Sequence, residues 1–300
     1  LDRLTGDPVC GYRPGSPPAT EPTALAAMAL IAQDRWQQAA KGLDWLTSLQ
    51  ASEGSVGVAA GHSRPRWPTG WAALAWQSAA HRLAPAIHQE RSVPSPTLAR
   101  WSQASQRAVQ WLQSLYGCAG KTSDMVGHDT RLRGWPWVET THSWVEPTAV
   151  SVLALKAAGL SDSPRVREGV QLLLDRMLPD GGWNQGNKIV LGNTLRPHIQ
   201  PTGLALVALH GESRAGAHID QSIAYLEGVV SARTATASLC YAVLGAATHG
   251  IRLKDSEEYL AAASRRTLQR DGSPYKLALL YVAAHFGNWA WWKSIVPRTA

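Results

Sequence analysis

Only three cysteines occur in 300 residues, at positions 10, 118 and 240, spaced too widely for a CxxC metal site or a disulfide framework. A reducing, cytoplasmic compartment is the expectation. Charge is also scarce, at 17% Asp, Glu, Lys and Arg, and no apolar run approaches the roughly 20 residues of a membrane-spanning helix. No signal peptide is visible. The chain opens on Leu1 rather than Met, so the native start is expected to be missing.

The few charges are unbalanced, with a formal net charge of +7 and a pI near 9.5. Nucleic-acid binding would need a basic stripe on a recognisable module. Here Lys and Arg are dispersed, and only Arg265, Arg266 and Arg270 are dense. No nucleic-acid partner is expected. Solvated outer faces account for the charge, with an anionic membrane surface or a diphosphate-bearing substrate as the other partners it would suit.

What the chain has in quantity is small and aliphatic residues arranged in a repeat. Glu21-Pro-Thr precedes ALAAMALIA, Trp67-Pro-Thr precedes GWAALAW, Glu146-Pro-Thr precedes AVSVLALKAAG, and Gln200-Pro-Thr precedes GLALVALHG. A fifth copy, Thr234-Ala-Thr, has lost the proline, and a sixth reads Ser273-Pro-Tyr. Each apolar stretch predicts a helix buried on all sides, with the proline at its first turn. Between them lie segments whose apolar residues recur at three- and four-residue steps, as Val166, Val170, Leu173, Leu174 and Met177 do. Such amphipathic helices are predicted for 36–49, 102–115, 166–177, 218–230 and 259–268. The outer tryptophans Trp36, Trp45, Trp101 and Trp111 fit this packing role.

Since the period runs from about residue 21 to 287 with no linker, residues 1–300 are expected to form one all-α domain. Residues 1–20 read as an irregular arm, with CGYRPG at 10–15 as a decayed Gly-aromatic turn. Residues 83–98, with three prolines, read as a loop. Residues 117–145 form the longest insertion and hold Asp124, His128, Asp129, Glu139 and His142 with Trp135, Trp137 and Trp144; long loops in compact domains are often functional. The tail 288–300, with Trp289, Trp291 and Trp292, suits an interfacial membrane contact. If the buried helices run parallel, their positive ends share one mouth, ringed by Glu21, Trp67, Glu146 and Gln200.

The turns between helices also rhyme, as QASEGSVG at 50–57, PDGGWNQG at 179–186 and QRDGSPYK at 269–276. This alternation resembles the QW-type repeat of the squalene cyclase and protein prenyltransferase β-subunit superfamily, over nearly the whole chain. The resemblance implies an α/α toroid of about six helical hairpins, with an isoprenoid-type hydrophobic substrate in a central cavity. It also implies an acid. The cyclases use the middle Asp of a DxDD motif, which this sequence lacks; by position Glu146 is the substitute, with His142 one helical turn before it and Glu21 as a further catalytic candidate. Trp67, Trp71, Trp135, Trp137, Trp144 and Trp183 are the aromatic candidates for contact with substrate, each cation–π contact being worth about 0.5–2 kcal/mol.

The prenyltransferase branch holds zinc through an Asp, a Cys and a His. Cys240 and His285 lie on predicted inner helices, but no D-x-C pair accompanies them, and they read as core residues. NQGNK resembles the diphosphate-facing part of that branch, leaving Asn187, Lys188, Arg196 and Gln200 as polar substrate contacts. No cofactor is expected, although Asp124, His128 and Asp129 could hold Mg or Zn. Two other functions suit the same residues. One is a lipid- or protein-binding toroid without chemistry. The other is a carbohydrate-active barrel using a carboxylate pair, Glu21 with Glu146 or Glu139 with Glu146, about 5 Å or 6.5–9.5 Å apart.

Overall fold

The computed structural model describes residues 2–83, 95–121 and 124–286. Its helices are α1 (Asp2–Gly6), α2 (Thr20–Ile31), α3 (Trp36–Ser48), α4 (Thr69–Leu83), α5 (Ser95–Ser114), α6 (Val145–Ala157), α7 (Pro164–Arg176), α8 (Ile199–Ala208), α9 (Gly216–Val229), α10 (Thr236–Thr248), α11 (Ser256–Arg270) and α12 (Pro274–Ala284). A two-stranded hairpin, β1 (Ile189–Val190) and β2 (Asn193–Thr194), interrupts the series. All twelve residues of α2 are buried, whereas α3 buries only a stripe of Trp36, Ala39, Gly42, Leu43 and Leu46. That alternation of wholly and half-buried helices is what the repeat predicts.

The boundaries differ in informative ways. Helices α2, α6 and α8 begin two residues before their prolines, at Thr20, Val145 and Ile199. Pro22, Pro147 and Pro201 therefore occupy the first turn, where a missing N–H costs no intrahelical bond. Glu21, Glu146 and Gln200 are thus inside their helices rather than ahead of them. The arm expected to be irregular contains α1. Helix α5 starts at Ser95, seven residues early, while residues 84–94 of the expected loop lie outside the described residues. The Trp-rich tail, with Trp289, Trp291 and Trp292, lies outside them too.

By internal contacts the chain falls into two compact units. The first comprises the described residues of 1–114, 154–160 and 265–300, and the second comprises those of 115–153 and 161–264. In the first, α2 packs on α3, α4 and α12, and α4 packs on α5. The heads of α2 and α12 meet at Tyr12, whose ring lies 5.1 Å from that of Tyr275 and whose hydroxyl donates to Glu21 at 2.6 Å. Helix α4 runs parallel to the last turn of α6, since Gln77 Nε2 donates to the Ala154 carbonyl and His81 Nε2 reaches that of Ala157. In the second unit, α8 and α10 are parallel neighbours, with a Gly203 side chain sterically forbidden by the Tyr241 backbone and His249 Nε2 2.8 Å from the Leu206 carbonyl.

One hydrogen-bond device recurs in both units. The threonine of each Pro-Thr accepts the backbone N–H of a turn residue upstream: Thr23 from Cys10 at 3.2 Å, Thr69 from Val56 at 2.9 Å, Thr148 from Trp135 at 2.9 Å and Thr202 from Trp183 at 2.9 Å. Each hydroxyl also lies 3.1–3.4 Å from the carbonyl of the same residue. An unsatisfied buried backbone donor would cost about 1–3 kcal/mol, so the threonine ties turn to helix head. The spacing is 13 residues in three copies and 19 in the fourth. The difference, six residues, is the length of the hairpin Ile189–Thr194.

Candidate functional site

The residues with chemistry in the second unit gather around the head of α6. Glu146, in the first turn, is 8% exposed. Its Oε1 accepts from Gln185 Nε2 at 3.1 Å and its Oε2 from Gln200 Nε2 at 3.3 Å. Gln200 stands at the corresponding place in α8, so two copies of the repeat supply donor and acceptor. Burial raises the Glu146 pKa, while the two amide donors, which favour the ionised form, pull it the other way and lose. A carboxyl kept protonated above its ordinary range is a proton donor in waiting.

Next to it the insertion 117–145 walls a cavity of about 250 Å³. Its polar lining is Cys118, His128, Thr130, His142, Ser143, Arg176 and Asn187, and its apolar lining is Val126, Leu132 and Trp144. Trp144 stands two residues before Glu146, and the N–H of Val145 donates to the carbonyl of Gln185. Burial, and then the charge of Arg176, lower the His128 pKa.

Two arginines of α7 fasten the insertion. Arg165 donates to the carbonyls of Leu115, Arg133 and Gly134 and lies 3.6 Å over the Trp135 ring. Burial pushes its pKa down to about 10 against the pull of Glu168. Arg176 donates to the Asp129 carbonyl of the insertion at 3.4 Å and to the Gly186 carbonyl at 2.8 Å, and pairs with Asp175 at 3.3 Å. Eleven residues are three helical turns, so the two share one face. Sequence reasoning passed over both, and over Gln185; the eleven-residue spacing on a largely apolar face was the available signal.

The other expected site residues are dispersed. Trp135 and Trp183 are fully buried and are the turn residues held by Thr148 and Thr202, with Trp183 Nε1 donating to the Leu173 carbonyl. Trp137 and Glu139 are half-buried in the insertion, and His142 is exposed at the cavity wall. Asn187 is exposed beside the cavity, Lys188 donates to the Asp175 carbonyl at 3.2 Å, and Arg196 is exposed. Glu21, Trp67 and Trp71 belong to the first unit, where Glu21 and Trp71 are buried and Trp67 is half-buried. Cys240 is wholly buried, which raises its thiol pKa, and His285 stacks on Tyr281 at 4.2 Å. Asp129 is bound to Arg131. Among the described residues no three His, Cys, Asp or Glu side chains gather as a metal cluster.

No protein family and no curated protein matches the sequence. Solved structures do. A GH8 protein from Teredinibacter turnerae, in complex with xylobiose, superposes with a TM-score of 0.54 at 9% identity, covering 93% of this chain and 83% of that one. The fold class is the α/α toroid. A protein from Actinoplanes matches with a TM-score of 0.48 at 15% identity, over 89% of this chain and 79% of that one. The type II terpene cyclase MstE from Scytonema, in its apo form, gives 0.43 at 15% identity, over 84% and 69%. No helix among the described residues is long and apolar enough to cross a membrane.

Proposed function

We propose that this toroid is an enzyme of the squalene cyclase and prenyltransferase β-subunit kind, in which Glu146 protonates an isoprenoid-type substrate. The observation that carries the reading is the buried Glu146 carboxyl, cradled by Gln185 and Gln200 and with its pKa raised. In such a step the carboxyl O–H transfers its proton to an alkene carbon, the adjacent carbon becomes cationic, and ring closure moves the charge along the chain. A π-face such as that of Trp144 stabilises the cation. Loss of a proton to a base ends the sequence, and His142 at the cavity wall is suited to take it. His142 then releases that proton to water, and Glu146 regains one from water. A cavity of about 250 Å³ is small against the roughly 300–1,000 Å³ of small-molecule sites, which favours a short chain.

The same carboxyl would serve a second reading, protonation of a glycosidic oxygen. The likeness to a GH8 fold holding xylobiose favours it, with Glu139 as the second carboxyl. One experiment separates the readings. The purified protein is incubated in parallel with short polyprenyl substrates and with xylo-oligosaccharides, and the products are resolved by mass spectrometry, with Glu146→Gln as control. Cyclic isoprenoids that vanish in the variant support the first reading, and shortened sugars support the second. Turnover undiminished in Glu146→Gln removes Glu146 from both, and binding without turnover makes the chain a binder.

A further inference from the structure

The base of the hairpin that lengthens the fourth repeat packs on the insertion, where Ile189 lies against Gly127, but its tip carries an unusual residue. Val190 pairs with Asn193, so Leu191 and Gly192 form a two-residue turn, and both have positive φ, 50° and 76°. Such a turn favours Asn-Gly, because a branched apolar side chain in the left-handed region is strained. Leu191 is nevertheless a leucine, and it is 93% exposed. It is unfavourable for the backbone and unfavourable in water at once.

Its neighbours extend the apolar surface. Val190 and Leu195 are exposed, and the 3-10 turn Asp124–Val126, which packs against β1, presents Met125 at 78% exposure. Lys188 and Arg196 flank the hairpin at its base, where the Leu195 N–H donates to the Lys188 carbonyl at 2.8 Å. Between Asp180 and Glu212 the sequence contains no acidic residue. The nearby carboxylates Asp129 and Asp175 are paired with Arg131 and Arg176.

We infer that the hairpin tip is a membrane wedge, in which Leu191, with Val190, Leu195 and Met125, enters an anionic lipid surface while Lys188 and Arg196 meet the headgroups. An apolar tip between two cations matches the apolar interior and negative surface of such a bilayer. Lys188 and Arg196 at the base, with no acidic residue between Asp180 and Glu212, favour an anionic lipid surface over an uncharged apolar partner. The inference is independent of the chemistry proposed for Glu146 and can fail while that holds.

The test is co-sedimentation of the full chain with vesicles of phosphatidylcholine and phosphatidylserine, against vesicles of phosphatidylcholine alone. The wild type is expected to bind the anionic vesicles, and Leu191→Asn to bind them at least tenfold more weakly. The same variant should melt about 2 °C higher, because the turn is relieved; this separates loss of binding from loss of fold. Lys188→Gln with Arg196→Gln should weaken binding severalfold and flatten its salt dependence. Absence of binding to anionic vesicles overturns the inference, as does equal binding by Leu191→Asn. So does a concentration-dependent dimer that Leu191→Asn dissolves, which would assign the tip to self-association.

Discussion

The heads of α2 and α6 carry the same three residues, Glu-Pro-Thr, in the same helical turn, yet their glutamates keep different partners. Each threonine binds a turn residue 13 positions upstream, and each glutamate is buried to the same degree, at 8% exposure. Glu21 accepts from a tyrosine hydroxyl, and that residue, Tyr12, reaches on to Tyr275 and, through its carbonyl, to the Ser273 hydroxyl. Around Glu146 the partners are two glutamine amides, with a cavity wall two residues away. The threonine sets the architecture, while the residue before the proline is left to vary with its surroundings. Glu21 knits the arm to two helix heads, and Glu146 is the one to which the proposed function gives the acid's part.

The widest separation between the two should appear in turnover. Glu146→Gln is expected to lower kcat/KM by about 10²- to 10⁴-fold, the usual contribution of a positioned acid, whereas Glu21→Gln should change it less than about threefold. Equal losses in the two variants would erase the distinction. Stability should show the opposite pattern, because the threonine ties are alike. Thr148→Val and Thr23→Val should each cost about 1–3 kcal/mol, read from urea midpoints at unchanged slope. A neutral Thr23→Val would mean that the arm is not a true copy of the turn.

The pH dependence is specific to Glu146. Burial raises its pKa, so the folded protein holds this proton more tightly than the unfolded chain does. The associated stability is fully present below the unfolded pKa and is lost as pH rises through the folded one. A rate that needs the acid form should fall over the same rise. Gln185→Leu or Gln200→Leu removes a donor that favours the ionised form and should move this falling limb to higher pH. A limb that stays in place would take the glutamines out of the account. The smallest effect belongs to Tyr12→Phe, about 0.5–1.5 kcal/mol of stability with no change in turnover.

Much of the fold was legible because it rests on local patterns. Apolar periodicity located every long helix to within a few residues apart from the start of α5, where Pro96 suggested a loop but sits in a first turn that tolerates it. Even the weak copy CGYRPG proved structural, since Cys10 occupies the place of Trp135 and Trp183. The site was legible only in part. Glu146, Gln200, Trp144, His142 and Asn187 meet around one helix head and its cavity, but tryptophan alone does not distinguish a cavity wall from a packed turn, so Trp135 and Trp183 looked like substrate contacts. Arg165, Arg176 and Gln185 act through backbone carbonyls or a distant side chain, and composition carries no trace of such partners. The hairpin carries no usual sequence signal, because its turn is Leu-Gly rather than the Asn-Gly that marks a two-residue hairpin.

The unequal spacing of the threonine ties has a practical corollary. Because the tie anchors the strand of chain on either side, whatever lies between its ends is held like a cartridge in a socket, and lengthening a closed loop adds only about 0.6 kcal/mol per doubling. Transplanting KIVLGNTL into the 57–68 segment, upstream of Thr69, should therefore yield a folded protein with a second exposed tip, since the socket already accommodates six extra residues ahead of Thr202.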